Sequence, residues 1–241
     1  MIDFHTHLDL YTNALAILPK VNKCNLFTLA VTTSPRAWVM ANKYFQPYKN
    51  IHVALGLHPE NIINKQNEID YFIKSIESTK YIGEIGIDGS SKNKHSLPKQ
   101  ESFFERVIAQ SQKFKGKIFS IHSRGAAAKV LDILESYPNS GKYVLHWFTG
   151  TTKQLSKAID MGCYFSAGPV MTQSKNGQQI LNMIPKDRIV PESDGPFVRF
   201  NNDPIMPWDA ILIKDYLCRQ WQYTEKQVIS VFRQNLKNIH S

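Results

Sequence analysis

The sequence predicts an α/β protein folded as a single TIM-type (β/α)8 barrel, and three observations carry that expectation. Short β-branched or aliphatic stretches alternate with longer segments whose apolar residues recur at three- and four-residue spacing, as helices packed on a sheet require. The chain has 241 residues, close to the usual length of eight strand-helix units. Residues able to bind metals or move protons stand at the ends of the first, fourth, fifth, sixth and eighth stretches, and such ends meet only if the sheet closes on itself. A doubly wound open sheet shares the alternation and is the rival arrangement.

In order, strands are expected near Met1–Phe4, Leu26–Val31, Ile51–Gly56, Tyr81–Ile85, Lys117–Ile121, Tyr143–Leu145, Cys163–Ser166 and Arg188–Pro191. Between them, Lys99–Phe114, Ala126–Tyr137, Thr152–Met161 and Gly177–Met183 read as amphipathic helices. No Pro/Gly/Ser-rich linker, fixed-period repeat or low-complexity tract divides the chain, so residues 1–241 are read as one domain. Two long loops, Asp88–Pro98 and Gly195–Pro207, follow strand ends on the face where barrel enzymes keep their sites.

Composition sets the outer limits. With 42% hydrophobic and 20% charged residues the chain can bury a core, which excludes fibrous and disordered classes. A net charge of +9 favours polyanionic partners. The start Met1-Ile2-Asp3-Phe4-His5 lacks the features of a secretory signal, and no apolar run approaches the ~18 residues of a membrane span, so a cytoplasmic protein without a membrane partner is expected. Cys24, Cys163 and Cys218 are odd in number and far apart, which points to free core thiols.

The chemistry concentrates on six residues. His5 and His7 lie two apart at the end of the first strand, so both imidazoles point to one side, the interior of a small barrel. Histidines bonded to backbone would give the same pair. Glu84 stands between Gly83 and Ile85 in a buried strand, where an unpaired carboxylate is costly. A metal offsets that cost, and so would Arg124, two residues past His122. His122, His146 and Asp194 close three later strands. Four nitrogen donors and two carboxylates suit two divalent ions sharing a bridging carboxylate. The histidine-rich set leans toward zinc, manganese or iron, while magnesium prefers oxygen. Two such ions against two carboxylates leave positive charge, which attracts an anionic diester and is unnecessary for a neutral amide.

The ordered run Asp3-Phe4-His5-Thr6-His7-Leu8-Asp9, Gly56-Leu57-His58-Pro59, Gly83-Glu84-Ile85-Gly86-Ile87-Asp88, His122-Ser123-Arg124, His146-Trp147-Phe148-Thr149-Gly150 and Glu192-Ser193-Asp194 resembles the TatD family of metal-dependent deoxyribonucleases across essentially the whole chain. The resemblance implies an amidohydrolase-type barrel with two divalent ions (Mg2+, Mn2+ or Zn2+) and exonuclease activity on single-stranded DNA. It also implies that His5, His7 and Asp194 hold one ion, His122 and His146 the other, and that Glu84 bridges them. The loop after Asp88 departs from the family, turning to Gly89-Ser90-Ser91 and lysines where aromatics are usual, and Ser193 stands for the commoner threonine. Leu8-Asp9-Leu10-Tyr11, Thr33-Ser34-Pro35-Arg36-Ala37-Trp38 and Glu192-Ser193-Asp194-Gly195-Pro196-Phe197 resemble more specifically the TatD-type subunit of the Qat anti-phage defence system. That likeness implies protein partners in a defence complex.

The expected reaction is attack of a metal-acidified water on a phosphodiester, with Asp194 taking the proton and Glu84 bridging the cations. Glu192 is a candidate support behind the ligands or an ordinary ion-pair partner. His58 is a candidate for phosphate contact or proton movement, unless it only caps its Gly-Pro turn. Arg124 offers a planar fork for phosphate. Trp147, Phe148, Phe197 and Phe200 are candidates for base stacking, and Lys92, Lys94, Lys99 and Arg199 for following the backbone. His52, His95 and His240 match no position of the pattern. The same six ligands would also serve a hydrolase of a small ester, an amide or aminoacyl-tRNA, and an assembly subunit silent on its own is a third reading.

Overall fold

A computed structural model describes residues 1–200 and 203–241. The eight expected strands are present as β1 (Ile2–Thr6), β2 (Phe27–Val31), β3 (Ile51–Ala54), β4 (Tyr81–Gly86), β5 (Ile118–His122), β6 (Lys142–His146), β7 (Tyr164–Ala167) and β8 (Ile189–Pro191). Helices α1 (Ala14–Cys24), α2 (Pro35–Phe45), α3 (Ile69–Ser75), α4 (Leu97–Ser111), α5 (Ala127–Ser136), α6 (Thr152–Asp160) and α7 (Lys175–Met183) fill the connections. α8 (Lys214–Trp221) and α9 (Glu225–His240) follow the last strand. Starts are set by local chemistry: Ser34 caps α2 ahead of Pro35, and Thr151 with Gln154 and Thr224 with Gln227 form capping boxes on α6 and α9.

Neighbouring pairs among these eight strands are parallel, β1 to β3 in one run and β4 to β8 in the other. A parallel bridge between Leu55 and Ile82 joins the runs on one side. On the other, the Asp194 N–H donates to the His5 carbonyl at 2.9 Å and the His7 N–H to the Gly195 carbonyl at 2.8 Å, so backbone bonding continues from the end of β8 to β1. The result is the TIM-type α/β barrel that the alternation predicts. Phe4, Leu29, Phe119 and Phe165 are fully buried, as residues covered on both sides of a parallel sheet should be. At the opposite end from the site, the buried Lys117 ammonium donates to the carbonyls of Ile76, Glu77 and Thr79 in the turn that follows α3.

Several expectations shift. β1, β4, β5 and β6 run one or two residues further than read, so His5, His122 and His146 sit within strands rather than after them. The Gly195–Pro207 stretch contains the short antiparallel pair β9 (Arg199–Phe200) and β10 (Asp203–Pro204), and its residues 201–202 lie outside the described ones. Only Cys163 of the three thiols is buried; Cys24 and Cys218 are half-buried. Phe148 is 1% exposed and packs edge-on against Phe165, so it belongs to the core and has no face free for a base. His52 stacks on Phe27, and His240 bonds the Tyr81 hydroxyl, both beside strand beginnings and far from the site.

Candidate metal centre

The carboxyl ends of the strands bring all six predicted ligands together around one buried carboxylate. Glu84, 2% exposed, splits its oxygens between two sets of histidines. Oε2 lies 3.1 Å from His7 Nε2 and 3.6 Å from His5 Nε2. Oε1 lies 2.8 Å from His122 Nδ1, 3.5 Å from His58 Nε2 and 4.0 Å from His146 Nε2. Asp194 faces the same space, with Oδ1 3.7 Å from His5 Nε2 and 3.8 Å from His7 Nε2, and Oδ2 3.9 Å from His146 Nε2. Groups of ligand atoms compact enough for one ion form on either side of Glu84: His5 with His7, and His58 with His122. On this geometry His58 stands nearer to Glu84 than His146 does, a placement that a ligand set of His122 and His146 alone does not anticipate.

Arg124 is exposed and, among the described residues, pairs with neither Glu84 nor Glu192, so the arginine alternative for Glu84 is set aside. Histidines compensate the carboxylate instead. Burial works to raise the Glu84 pKa, but His58, His122 and His5 overcome it and hold the group well below the usual range. At Asp194 burial prevails and lifts the carboxyl to about 6, against the pull of His146 and His7.

Most of the imidazoles are aimed by an oxygen on the far ring nitrogen. Ser120 Oγ holds His5 Nδ1 at 2.7 Å, Asp88 Oδ2 holds His122 Nε2 at 2.9 Å, and Glu192 Oε2 holds His146 Nδ1 at 2.8 Å. Glu192 is fully buried and also accepts from the Ser166 hydroxyl and the Trp147 N–H. It is therefore a support behind His146 and takes no exposed ion-pair partner. His7 differs, since its Nδ1 is buried without a partner, as is the Asp9 Oδ1 two residues on. His58 caps its turn and also faces the buried carboxylate. Its Nδ1 accepts the Glu60 N–H at 3.2 Å, capping the turn, while Nε2 faces Glu84.

Asp194 is positioned by its backbone. Its φ of 52° lies in the left-handed region, held by the N–H bond to His5 and by Ser193, whose hydroxyl and N–H both donate to Asp3 at 2.6 and 2.9 Å. Trp147 has a φ of 37°, and its N–H is shared between Glu192 and the Ser166 carbonyl. Sequence reading missed Asp3, Asp88 and Ser120 as supports. The period-2 rule that selected His5 and His7 puts Asp3 on the same side of β1 and was available to find it. Asp88 and Ser120 show no signal until the barrel brings them beside His122 and His5.

Does a divalent cation fit? Burial, then His146, keeps His5 well below the ordinary histidine pKa, so its ring is neutral. With the proton on Nδ1 toward Ser120, the buried Nε2 lone pair has no hydrogen-bond partner and points at two carboxylate oxygens. Facing lone pairs repel unless a cation lies between them, and two ligand atoms about 2.1 Å from one ion sit roughly 3–4 Å apart, as these do. The residues fit such an ion.

Above the carboxylates the cleft opens into two lobes that share His122, Arg124, His146 and Asp194. One, of ≈ 370 Å³, is completed by Ser123, Trp147 and Thr149. The other, of ≈ 360 Å³, adds His58, Glu60, Asn61 and Phe197. Phe197 is 65% exposed and stands edge-on to His7 with ring centroids 5.0 Å apart. Lys92 is tied to Glu60 at 3.2 Å, while Lys94, Lys99 and Phe200 do not line either lobe. Arg199 is exposed in β9, also outside both linings.

Comparison with known proteins shows the family to which the chain belongs. The family model described as TatD related DNase matches residues 2–241. An uncharacterized metal-dependent hydrolase of Buchnera aphidicola (subsp. Acyrthosiphon pisum) is 31% identical over 221 residues, covering 82% of this chain and 81% of its own. The 3'-5' ssDNA/RNA exonuclease TatD of Citrobacter koseri is 27% identical over 165 residues, covering 66% of this chain and 63% of its own. The crystal structure of the TatD homologue YJJV from Escherichia coli superposes with a TM-score of 0.87 at 17% identity, covering 100% of this chain and 97% of that one. With a family model matching nearly its whole length, this chain belongs to the TatD-related DNase family of metal-dependent hydrolases.

Proposed function

We propose that the protein is a two-metal-dependent deoxyribonuclease that removes nucleotides from the ends of single-stranded DNA. The observation that carries this reading is Glu84, a buried carboxylate whose two oxygens face separate histidine sets, the arrangement a bridging ligand requires. Divalent ions held there supply Lewis acidity toward a phosphoryl oxygen and acidify water.

The chain's own residues do the rest. His5, His7 and Asp194 serve one ion, His122 and His146 the other, with His58 beside it. Asp194, placed beside the ions and facing the cleft, would take the proton from the attacking water. Arg124, in the shared wall of both lobes, binds a non-bridging phosphate oxygen. Trp147 and Phe197 offer faces to bases on either side, a contact worth ~1–3 kcal/mol per base and tolerant of sequence. The net charge of +9 adds salt-dependent attraction.

The exonuclease name of the Citrobacter relative supports the substrate class. On the sequence resemblance alone, we further assign the activity to a Qat-type anti-phage complex in the cytoplasm. Among the described residues, no helix is long and apolar enough to cross a membrane.

The test is stepwise shortening of end-labelled single-stranded DNA with Mg2+ or Mn2+, abolished by EDTA and by Asp194→Asn. Full-length DNA across a panel of metals contradicts the reading, and faster turnover of carboxylic esters would favour the small-ester hydrolase. Phage plating on cells carrying the neighbouring genes tests the defence assignment, which predicts that Asp194→Asn loses protection.

A further inference from the structure

The loop after β4 makes a contact across the mouth of the site that the ligand set does not use. Asp88 begins it on His122. The loop is then pinned inward, the Ser90 N–H donating to Asp88 Oδ1 at 2.8 Å and the Asp88 N–H to Gln100 at 2.7 Å. From this rigid base the loop reaches across to the turn after β3. Lys92 Nζ meets Glu60 Oε2 at 3.2 Å, and the buried Asn93 side chain donates to Glu60 Oε1 at 3.0 Å. Both oxygens of Glu60 are thereby spanned from the neighbouring loop, and Glu60 lines the ≈ 360 Å³ lobe.

Resting on the nuclease reading above, we propose that this Glu60–Lys92/Asn93 latch is the specificity device that confines the site to chain ends. The latch bars the gap between the β3 and β4 loops, and Phe197 stands on the β8 side of the same lobe. A volume near the low end of the ~300–1,000 Å³ typical of ligand pockets suits one terminal nucleotide, and the latch stands on the side where a longer strand would have to continue. The rest of the strand leaves through the other lobe, past Ser123, Trp147 and Thr149.

The experiment compares a covalently closed single-stranded DNA circle with its linear form, both with Mn2+, for the wild type, Glu60→Ala/Lys92→Ala and Lys92→Glu. The double variant removes the bridging side chains, and the single one sets like charges against each other across the gap. Wild type should digest the linear strand and spare the circle. In each variant the ratio of circle opening to linear digestion should rise at least tenfold. Wild type opening circles as fast as it shortens linear DNA overturns the proposal, as does an unchanged ratio in variants that still digest linear DNA. Wild type inert toward both substrates overturns the nuclease reading itself, and this proposal with it.

Discussion

Replacing Glu192 by glutamine changes no shape and removes one charge, yet the hydrogen-bond network predicts a large loss of ion affinity. Glu192 accepts three bonds, from His146 Nδ1, the Ser166 hydroxyl and the Trp147 N–H. The Trp147 N–H is fixed in the backbone and demands an acceptor, so the amide oxygen of the variant must take the Oε1 place at 3.1 Å. The NH2 group then faces His146 Nδ1, which can only accept from it. That moves the imidazole proton to Nε2, the nitrogen directed at Glu84 and Asp194, and removes the lone pair an ion needs. Loss of an orienting partner behind a metal-bound histidine typically costs 10–100-fold in affinity, or about 1.4–2.8 kcal/mol. Calorimetric titration of the metal-free protein with Mn2+ or Zn2+ measures this directly. Unchanged affinity in a variant that melts like wild type refutes the orienting role of Glu192.

Asp9→Ala should weaken ion binding by roughly 10-fold, with Asp9→Asn restoring most of it, because the ion-loaded His7 Nδ1 needs an acceptor and Asp9 Oδ1 is the unpartnered buried oxygen two residues away; equal titrations of all three proteins would contradict this. Without ions, His122 is raised to about 9 by Asp88 and Glu84 against burial, and His146 to about 10 by Glu192 and Asp194 against burial. Both groups bind their proton more tightly when folded, so their stabilisation of the metal-free protein is full below about 6.5 and is lost as pH rises through 9 and 10. Ion loading at pH 7.5 should accordingly release up to about two protons, read as acidification in weak buffer, and a pH-independent affinity would contradict it. Gly56→Ala would put a Cβ 1.7 Å from the Thr32 carbonyl oxygen and 2.6 Å from that of Gly83, next to the strand that carries Glu84. At an overpacking cost of ~1–3 kcal/mol the melting temperature should fall by about 2–12 °C, and an unaltered melt would refute the close approach.

The barrel and the convergence of six candidate ligands were legible because they follow periodic rules. Alternation locates the eight barrel strands, and the strand period of two is enough to aim His5 and His7 at the same interior space. What stayed hidden depends on contacts between residues far apart in the chain. Ser120 reaches His5 across 115 positions, and Asp3 holds Ser193 across 190. His58 read as a candidate for phosphate contact or proton movement with a turn cap as the alternative, and only closure of the ring brings it to Glu84. Phe148 misled in the opposite sense: one position past Trp147 reverses the direction of a side chain, and its ring went to the core.

The central claim is that Glu84 bridges two ions, and anomalous diffraction from a crystal of the protein grown with Mn2+ or Zn2+ tests it most directly. The account predicts two peaks about 3.5–4 Å apart, one on the His5, His7 and Asp194 side of Glu84 and one on the His122 and His146 side. A single peak, or peaks that leave either Glu84 oxygen without an ion, would contradict it.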